Sequence, residues 1–201
     1  ELAWATSVVI GPGIGISASS GHLLDIILKH SKVPTIMDAD AINLLSTKTS
    51  YEGLQGLPEN IMLTPHLKEM SRICHCELKD ISKDIVEFAL KVVKGKSFIL
   101  TIKDARTVVT DGERAYVNVS GNNGMATGGS GDVLTGIIAA LLAQGMSQFE
   151  ANSLGVWIHG LAGDYAAIEK SRYSLIASDI IDALPKVFLD YEGEKWYEEI
   201  L

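Results

Sequence analysis

Short apolar runs alternate along the chain with longer segments in which apolar residues recur every three or four positions. The short runs are typical of buried β-strands, and the longer segments are typical of amphipathic helices. The pattern predicts strands over residues 7–10, 33–37, 60–63 and 97–103. It predicts helices over residues 17–30, 41–45, 67–75, 81–93, 131–144, 149–171 and 177–189. Because helices separate these strands, we expect an α/β fold with a mostly parallel central sheet.

A β-hairpin is predicted where this alternation stops, near residues 107–118. Two apolar runs, 108–110 and 115–117, lie on either side of Asp111-Gly112. Asp-Gly is a strong signal for a two-residue turn between antiparallel strands. The helix predicted after it, 131–144, is apolar on nearly every side, so we expect it to lie between the sheet and another helix or subunit.

Composition narrows the range of functions. The chain has 201 residues, 47% of them hydrophobic, which suits a single globular domain over residues 1–201. Its net charge of −8 argues against nucleic acid or an anionic membrane as a partner. The longest apolar run, 133–143, is too short to span a bilayer. Cys74 and Cys76 lie two residues apart, which is not a zinc-site spacing, and we expect reduced thiols in the cytoplasm.

The strongest chemical signal is the glycine-rich stretch 122–136, which leads into a helix predicted to begin near Gly131. The first N–H groups of a helix have no partner within it and carry partial positive charge, so such a turn attracts phosphate. Most glycine-rich turns only close a tight connection, and this one lacks the lysine of a P-loop. Asp132 lies in the same turn, where a carboxylate either stabilises the helix start or acts as a base beside a bound phosphate.

Other candidate residues follow the predicted strands, where ligands bind in open α/β sheets. Asp38 and Asp40 could hold Mg²⁺ through water, although capping of the next helix by Asp40 fits the residues better. His66 could be a simple polar cap. Lys103 is either surface charge or a phosphate partner. In the later segment 159–164, close packing through its two glycines is favoured over a catalytic or metal site, because His159 and Asp164 do not share a helix face.

The segment Gly121–Gly136 has the sequence Gly-Asn-Asn-Gly-Met-Ala-Thr-Gly-Gly-Ser-Gly-Asp-Val-Leu-Thr-Gly. It resembles the signature of the ADP/ATP-dependent NAD(P)H-hydrate dehydratases, repair enzymes of the ribokinase-like superfamily. Similar segments, Asp38–Asn43 and Thr64–Glu69, lie in the same order, so the resemblance covers nearly the whole chain. The resemblance implies a ribokinase-like three-layer α/β/α fold. It also implies that an N-terminal part is missing, because such domains usually carry further strand–helix units before this point.

The same resemblance implies an activity. The S form of hydrated NADH or NADPH would be phosphorylated on its ring hydroxyl by ADP or ATP, and loss of phosphate would restore the reduced cofactor. Mg²⁺ would accompany the adenine nucleotide, and no residue decides between ADP and ATP. A homo-oligomer is expected, and an epimerase domain could precede residue 1, as in fused members of the family.

The resemblance also assigns roles to residues, with the metal ligands left unknown. Asp132 would be the catalytic base and would contact the hydrate. The other contacts to the hydrate would come from Gly13, Gly15, His66 and Glu69. The nucleotide would be bound by Lys103, Asp104, Ala105, Arg106, Thr107, Asn122, Gly128, Gly129, Ser130 and Gly131. Asp104 departs from the family pattern, in which a glycine follows the lysine, and this changes both the charge and the backbone freedom of the nucleotide contact.

Two other functions remain open from the sequence. A kinase of the same fold that acts on a sugar or a hydroxymethylpyrimidine would share Gly-x-Gly-Asp but not the longer signature. A non-catalytic nucleotide-binding or oligomerising module would bind nucleotide without turnover.

Overall fold

The computed structural model describes residues 2–48, 54 and 56–200, and the side chains of these residues other than 48 and 193–200. Six strands form one sheet in which neighbours along the chain are also neighbours in space. The strands are β1 Val8–Ile10, β2 Thr35–Met37, β3 Ile61–Leu63, β4 Ile99–Ile102, β5 Val108–Thr110 and β6 Ala115–Val117.

The first four strands are parallel and the last two are antiparallel, which confirms the predicted sheet and hairpin. Because the four parallel strands run in the same direction, the residues that follow them lie together at the carboxyl ends of the strands. The hairpin loop differs from its prediction. Thr110 pairs with Ala115, so the loop has four residues and not two. Asp111 stabilises this longer loop, since its carboxylate accepts hydrogen bonds from the N–H groups of Glu113 and Arg114.

The described residues contain eight α-helices. They are α1 Ala18–His30, α2 Ala39–Lys48, α3 Leu67–Cys74, α4 Leu78–Ser82, α5 Ile85–Val93, α6 Ser130–Ala143, α7 Gln148–Lys170 and α8 Ala177–Ile200. Helices α1 to α5 pack on one face of the sheet, and α6 and α7 pack on the other. Helix α8 packs outside α6 and α7, so α6 lies between the sheet and another helix, as its apolar surface predicted.

Both faces of the sheet are buried because helices pack on each of them. Successive strand residues point to opposite faces, so neighbouring residues contact different helices. Met37 and Leu63 pack with α1 to α5, whereas Ile36 and Met62 pack with α6 and α7. This two-sided burial explains why the strands are mostly apolar and why even their threonines, Thr35, Thr101 and Thr110, are buried. None of the helices within the described residues is both long and apolar enough to cross a membrane.

Several predicted helix boundaries differ from those in the structure. The segment 81–93 is divided between α4 and α5 because Asp84 caps α5, its carboxylate accepting the N–H of Glu87 at 2.9 Å. Asp40 is not an N-cap, since α2 begins at Ala39 and the Asp40 carboxylate accepts the N–H of Gly15 at 2.9 Å. Helix α8 continues to residue 200, with Pro185 inside it.

Candidate active site

The glycine-rich stretch forms a loop that ends in the first turn of α6. Gly129 is the N-cap with φ 86°, a left-handed conformation that glycine adopts without strain. Helix α6 therefore begins at Ser130, one residue before the predicted start. A single 3₁₀ turn, Asn123–Met125, precedes it in the same loop. The Ser130 N–H donates to the Thr127 carbonyl at 3.3 Å. The next N–H groups of the first α6 turn have no partner within the helix, and Gly131 in this turn lies beside Lys103 and Asp38 at the carboxyl ends of the strands.

A cleft of about 930 Å³ opens beside this turn, which is large enough for a nucleotide. Nine of the residues predicted to bind ligand line it: His66, Lys103, Asp104, Ala105, Arg106, Thr107, Asn122, Ser130 and Gly131. The remaining wall comes from residues that the sequence did not assign to the site: Asn118, Ser120, Gly121, Asn123, Met125, Ala126, Thr127, Leu134, Val156, His159 and Gly160.

A buried ion pair lies under the first turn of α6. Lys103 Nζ donates to Asp38 Oδ1 at 2.6 Å, and Thr135 Oγ1 donates to Asp38 Oδ2 at 3.1 Å. Asp38 is 1% exposed, and the Lys103 side chain is 20% exposed where it reaches the cleft. A Cβ added at Gly131 would lie 3.3 Å from Lys103 Nζ, so a glycine lets the ammonium group approach the helix start. The contact joins the ends of two strands, β2 and β4, to α6.

His66 and Glu69 form a reciprocal cap at the start of α3. The Glu69 N–H donates to His66 Nδ1 at 3.1 Å, and the His66 N–H donates to Glu69 Oε2 at 2.8 Å. Burial raises the pKa of Glu69, and the hydrogen bond from His66 acts in the opposite direction. His66 also lines the cleft, whereas Glu69 is buried and does not. His66 is therefore the N-cap of α3, which is one of the two roles that the sequence suggested for it.

His159 lies on α7 and faces the start of α6. Its Nε2 atom is 3.3 Å from Ser130 Oγ. Burial lowers the pKa of His159 to about 4, the hydrogen bond with the Ser130 backbone acts in the opposite direction, and the positive charge of Lys103 acts in the same direction as burial. The imidazole is therefore neutral at neutral pH.

The loop that precedes α6 is held against α7. Asn122 Nδ2 donates to Asp164 Oδ1 and to the Gly163 carbonyl, each at 2.9 Å, and the Gly121 N–H donates to Asp164 Oδ2 at 2.8 Å. Gly160 and Gly163 of α7 are needed for this approach. A Cβ at Gly160 would lie 2.1 Å from Ser120 Oγ, and one at Gly163 would lie 2.2 Å from Met125 Sδ. Close packing through these glycines is confirmed, although they pack against the loop and not against a helix.

Several predicted site residues lie outside the cleft wall. Asp132 is exposed on the first turn of α6 and lines a separate shallow groove between α6 and α8. Gly13 and Gly15 lie in the turn after β1 with φ of 68° and 71°, and a Cβ added at either would meet nothing within 4 Å. Gly128 and Gly129 belong to the loop but do not line the cleft. Asp132 and the cleft are therefore reached from different sides of one helix start.

The metal-ligating side chains of the described residues do not form a cluster. These residues contain no group of three or more His, Cys, Asp or Glu side chains that could hold a metal ion together. The Asp38 carboxylate already accepts hydrogen bonds from Lys103 and Thr135. Mg²⁺ bound mainly by phosphate oxygens and water fits these residues better than Mg²⁺ held by a protein cage.

The fold and the cleft together define a ribokinase-like three-layer α/β protein, as the sequence predicted. Residues 1–186 match the family model described as NAD(P)H-hydrate dehydratase. The chain therefore belongs to the NAD(P)H-hydrate dehydratase family, and the resemblance that the glycine-rich signature indicated is confirmed.

Individual relatives agree with this assignment. The chain is 41% identical over 196 residues to a bifunctional NAD(P)H-hydrate repair enzyme of Moorella thermoacetica, covering 96% of this chain and 36% of that protein. It is 40% identical over 158 residues to an ADP-dependent (S)-NAD(P)H-hydrate dehydratase of Neisseria meningitidis, covering 78% of this chain and 53% of that protein. The chain thus spans about a third to a half of these relatives' lengths.

A solved structure extends the comparison to three dimensions. The ADP/ATP-dependent NAD(P)H-hydrate dehydratase of Bacillus subtilis, co-crystallised with ATP and Mg²⁺, superposes with a TM-score of 0.81 at 26% identity. The superposition covers 94% of this chain and 68% of that one.

Proposed function

We propose that this chain is the ADP- or ATP-dependent part of an NAD(P)H-hydrate repair enzyme. The observation that carries the proposal is the α6 N-terminus, which forms one wall of a nucleotide-sized cleft beside Lys103. A helix start and an ammonium group are both suited to the phosphate oxygens of a nucleotide. Membership in the dehydratase family supports the choice of NAD(P)H hydrate as the second substrate.

The cleft offers a specific set of groups to the nucleotide. Lys103 and the first N–H groups of α6 would hold the phosphates, and Arg106 and Thr107, which also line the cleft, would add further contacts to the nucleotide. Mg²⁺ would enter as the magnesium complex of the nucleotide and would be substrate rather than a resident cofactor. Phosphoryl transfer needs mostly positioning and charge neutralisation, which these groups provide.

The chemistry has two steps. The hydroxyl oxygen of the hydrate attacks the terminal phosphorus, Asp132 takes the hydroxyl proton, and the bond between that phosphorus and the nucleotide breaks. The phosphorylated ring then loses phosphate as its C–O bond breaks and a neighbouring carbon gives up a proton, which restores the ring double bond. Asp132 is exposed on the first turn of α6, next to Gly131, which lines the cleft, so the hydroxyl of the hydrate would meet the terminal phosphate at this turn.

The direct test is an assay with NADH hydrate and the magnesium complex of ADP or ATP, followed by recovery of the absorbance of reduced nicotinamide. Phosphorus NMR of the products separates this function from a small-molecule kinase. The dehydratase releases free phosphate, whereas a kinase leaves a stable phosphoester.

The role of Asp132 can be tested with Asp132→Asn. We expect turnover to fall by roughly 10²–10⁴-fold, because a general base contributes about that much, while nucleotide affinity stays near that of the unsubstituted protein. Asp25→Asn, on the exposed surface of α1, is the matched control and should turn over normally. Repair of the hydrate by Asp132→Asn at a near-normal rate would rule out Asp132 as the base.

The sequence also leads us to propose that the protein acts in the cytoplasm as a homo-oligomer. Free Cys74 and Cys76 are compatible with a reducing compartment. Sedimentation equilibrium of the purified protein would measure the oligomeric state, and a monomer at micromolar concentration would contradict that part of the proposal.

A further inference from the structure

The contact between His159 and Ser130 has no role in the mechanism above. Ser130 is the first residue of α6 and is 7% exposed, and its Oγ lies 3.3 Å from His159 Nε2. Both side chains line the cleft, although they come from different helices. A neutral imidazole nitrogen and a hydroxyl at this distance can share one hydrogen bond in either direction.

The direction of that hydrogen bond decides what Ser130 offers to a ligand. If Ser130 donates to His159, its only hydroxyl hydrogen is used, and the oxygen presents lone pairs to the cleft. If His159 donates to Ser130, the hydroxyl hydrogen is free to turn towards the cleft. Phosphate oxygens accept hydrogen bonds, so only the second arrangement makes Ser130 a donor to a phosphate at the α6 N-terminus.

We propose that His159 is a positioning residue whose Nε2–H donates to Ser130 Oγ and so turns the Ser130 hydroxyl hydrogen towards a nucleotide phosphate at the start of α6. The inference rests on the proposed function, because it takes an adenine nucleotide as the ligand of the cleft. It adds to that function a histidine that acts through a serine without touching the nucleotide.

The surroundings of His159 keep its imidazole neutral. Lys103 contributes positive charge near the ring, and burial removes water, so the imidazole stays neutral and keeps a single N–H. His159 therefore acts by geometry and not by charge. The neighbouring N–H groups of α6 are already donors, so a hydroxyl that also donates completes a uniform set of donors around the phosphate.

The experiment compares His159→Phe, His159→Gln, Ser130→Ala and the double variant Ser130→Ala/His159→Phe. Affinity for the magnesium complexes of ADP and ATP is measured by isothermal titration calorimetry without hydrate, and kcat and KM are then measured with NADH hydrate. Phenylalanine keeps the ring but removes both nitrogens. Glutamine keeps a donor near the place of Nε2. His22→Phe, at an exposed position on α1, is the matched control.

We expect Ser130→Ala to weaken nucleotide affinity roughly tenfold, which is the usual effect of one lost hydrogen bond to a charged group. We expect His159→Phe to weaken it less, roughly fivefold, because it removes only the neutral hydrogen bond that orients the Ser130 hydroxyl. The double variant should bind no more weakly than Ser130→Ala alone, because His159 acts only through the Ser130 hydroxyl, which Ser130→Ala already removes. His159→Gln should bind within about twofold of the unsubstituted protein, and KM for hydrate should stay unchanged. His22→Phe should behave normally.

Three results would overturn the inference: normal nucleotide affinity in His159→Phe, multiplied losses in the double variant, or a loss in His159→Gln as large as in His159→Phe. A purely structural role of His159 predicts the last two. The inference and the proposed function fail separately. Nucleotide affinity that follows the expected pattern without repair of the hydrate would overturn only the function. Repair with unchanged affinity in His159→Phe would overturn only the inference.

Discussion

The Lys103–Asp38 ion pair gives the sharpest test of how the site is held together. Lys103→Met keeps most of the length of the side chain and removes the charge that faces Asp38 at 2.6 Å. Asp38 is 1% exposed and would keep only the Thr135 hydroxyl as a side-chain donor among the hydrogen bonds described. We therefore expect Lys103→Met to leave a charge buried without its counter-ion.

The expected cost follows from the burial of each partner. Removing one member of a buried ion pair usually destabilises a protein by about 3–5 kcal/mol. Because the Lys103 side chain is 20% exposed, water can reach the space it leaves, and we expect the lower end, about 3 kcal/mol. Asp38→Asn leaves Lys103 partly solvated and should cost less, about 1–2 kcal/mol.

The double variant Lys103→Met/Asp38→Asn tests whether the cost of Lys103→Met comes from the buried, unpaired charge of Asp38. With both charges gone, the buried charge that makes Lys103→Met costly is absent, so the double variant should be more stable than Lys103→Met alone by about 1–2 kcal/mol. Urea denaturation followed by fluorescence of the three tryptophans measures this, with the m value checked for two-state behaviour. If the two single costs simply add in the double variant, the ion-pair reasoning is refuted.

Three further predictions concern the cleft and its supports. Asp104→Asn should lower KM for nucleotide roughly threefold in steady-state assays, because an exposed negative charge near a phosphate costs up to about 1 kcal/mol. An unchanged KM would place Asp104 away from the phosphates. In urea denaturation, Gly136→Ala on α6 meets open space and should stabilise by about 0.5–1 kcal/mol, whereas Gly160→Ala meets Ser120 and should destabilise by about 1–3 kcal/mol. His159 has a folded-state pKa of about 4 against 6.5, so the unfolded chain binds the extra proton and the stability that this residue provides falls as pH decreases from 6.5 towards 4. Between about pH 7 and pH 5 the loss should be about 2 kcal/mol, and His159→Phe should lack this share of the acid sensitivity; equal sensitivity in both proteins would contradict it.

Local signals were enough to predict the strands and most helices. Each parallel strand is a short apolar run, and each predicted turn contains glycine, proline or aspartate, so period and turn chemistry agree along the chain. The division between α4 and α5 was missed although its signal was present. Asp84 followed three residues later by Glu87 is a typical helix start, but the apolar spacing of 81–93 continues across it.

The contacts that build the site were harder to predict because they join distant residues. Asp38 and Lys103 are 65 positions apart, and nothing local distinguishes a buried ion pair from a metal ligand and a surface lysine. His159 meets Ser130 only because α7 crosses the start of α6. The ends of the predicted strands nevertheless indicated where the site lies, because parallel strands bring their carboxyl ends together regardless of which side chains they carry.

The ion pair also changes how the cleft can attract an anion. Lys103 and Asp38 carry opposite charges at 2.6 Å, so at longer range their fields largely cancel. The whole chain has a net charge of −8, and Asp104 adds a negative charge to the wall of the cleft itself. Long-range attraction is therefore weak, and an anion must be bound by donors in direct contact with it. These are the α6 N–H groups, the ammonium face of Lys103 that reaches the cleft, Arg106, and a serine hydroxyl whose direction a neutral histidine can set.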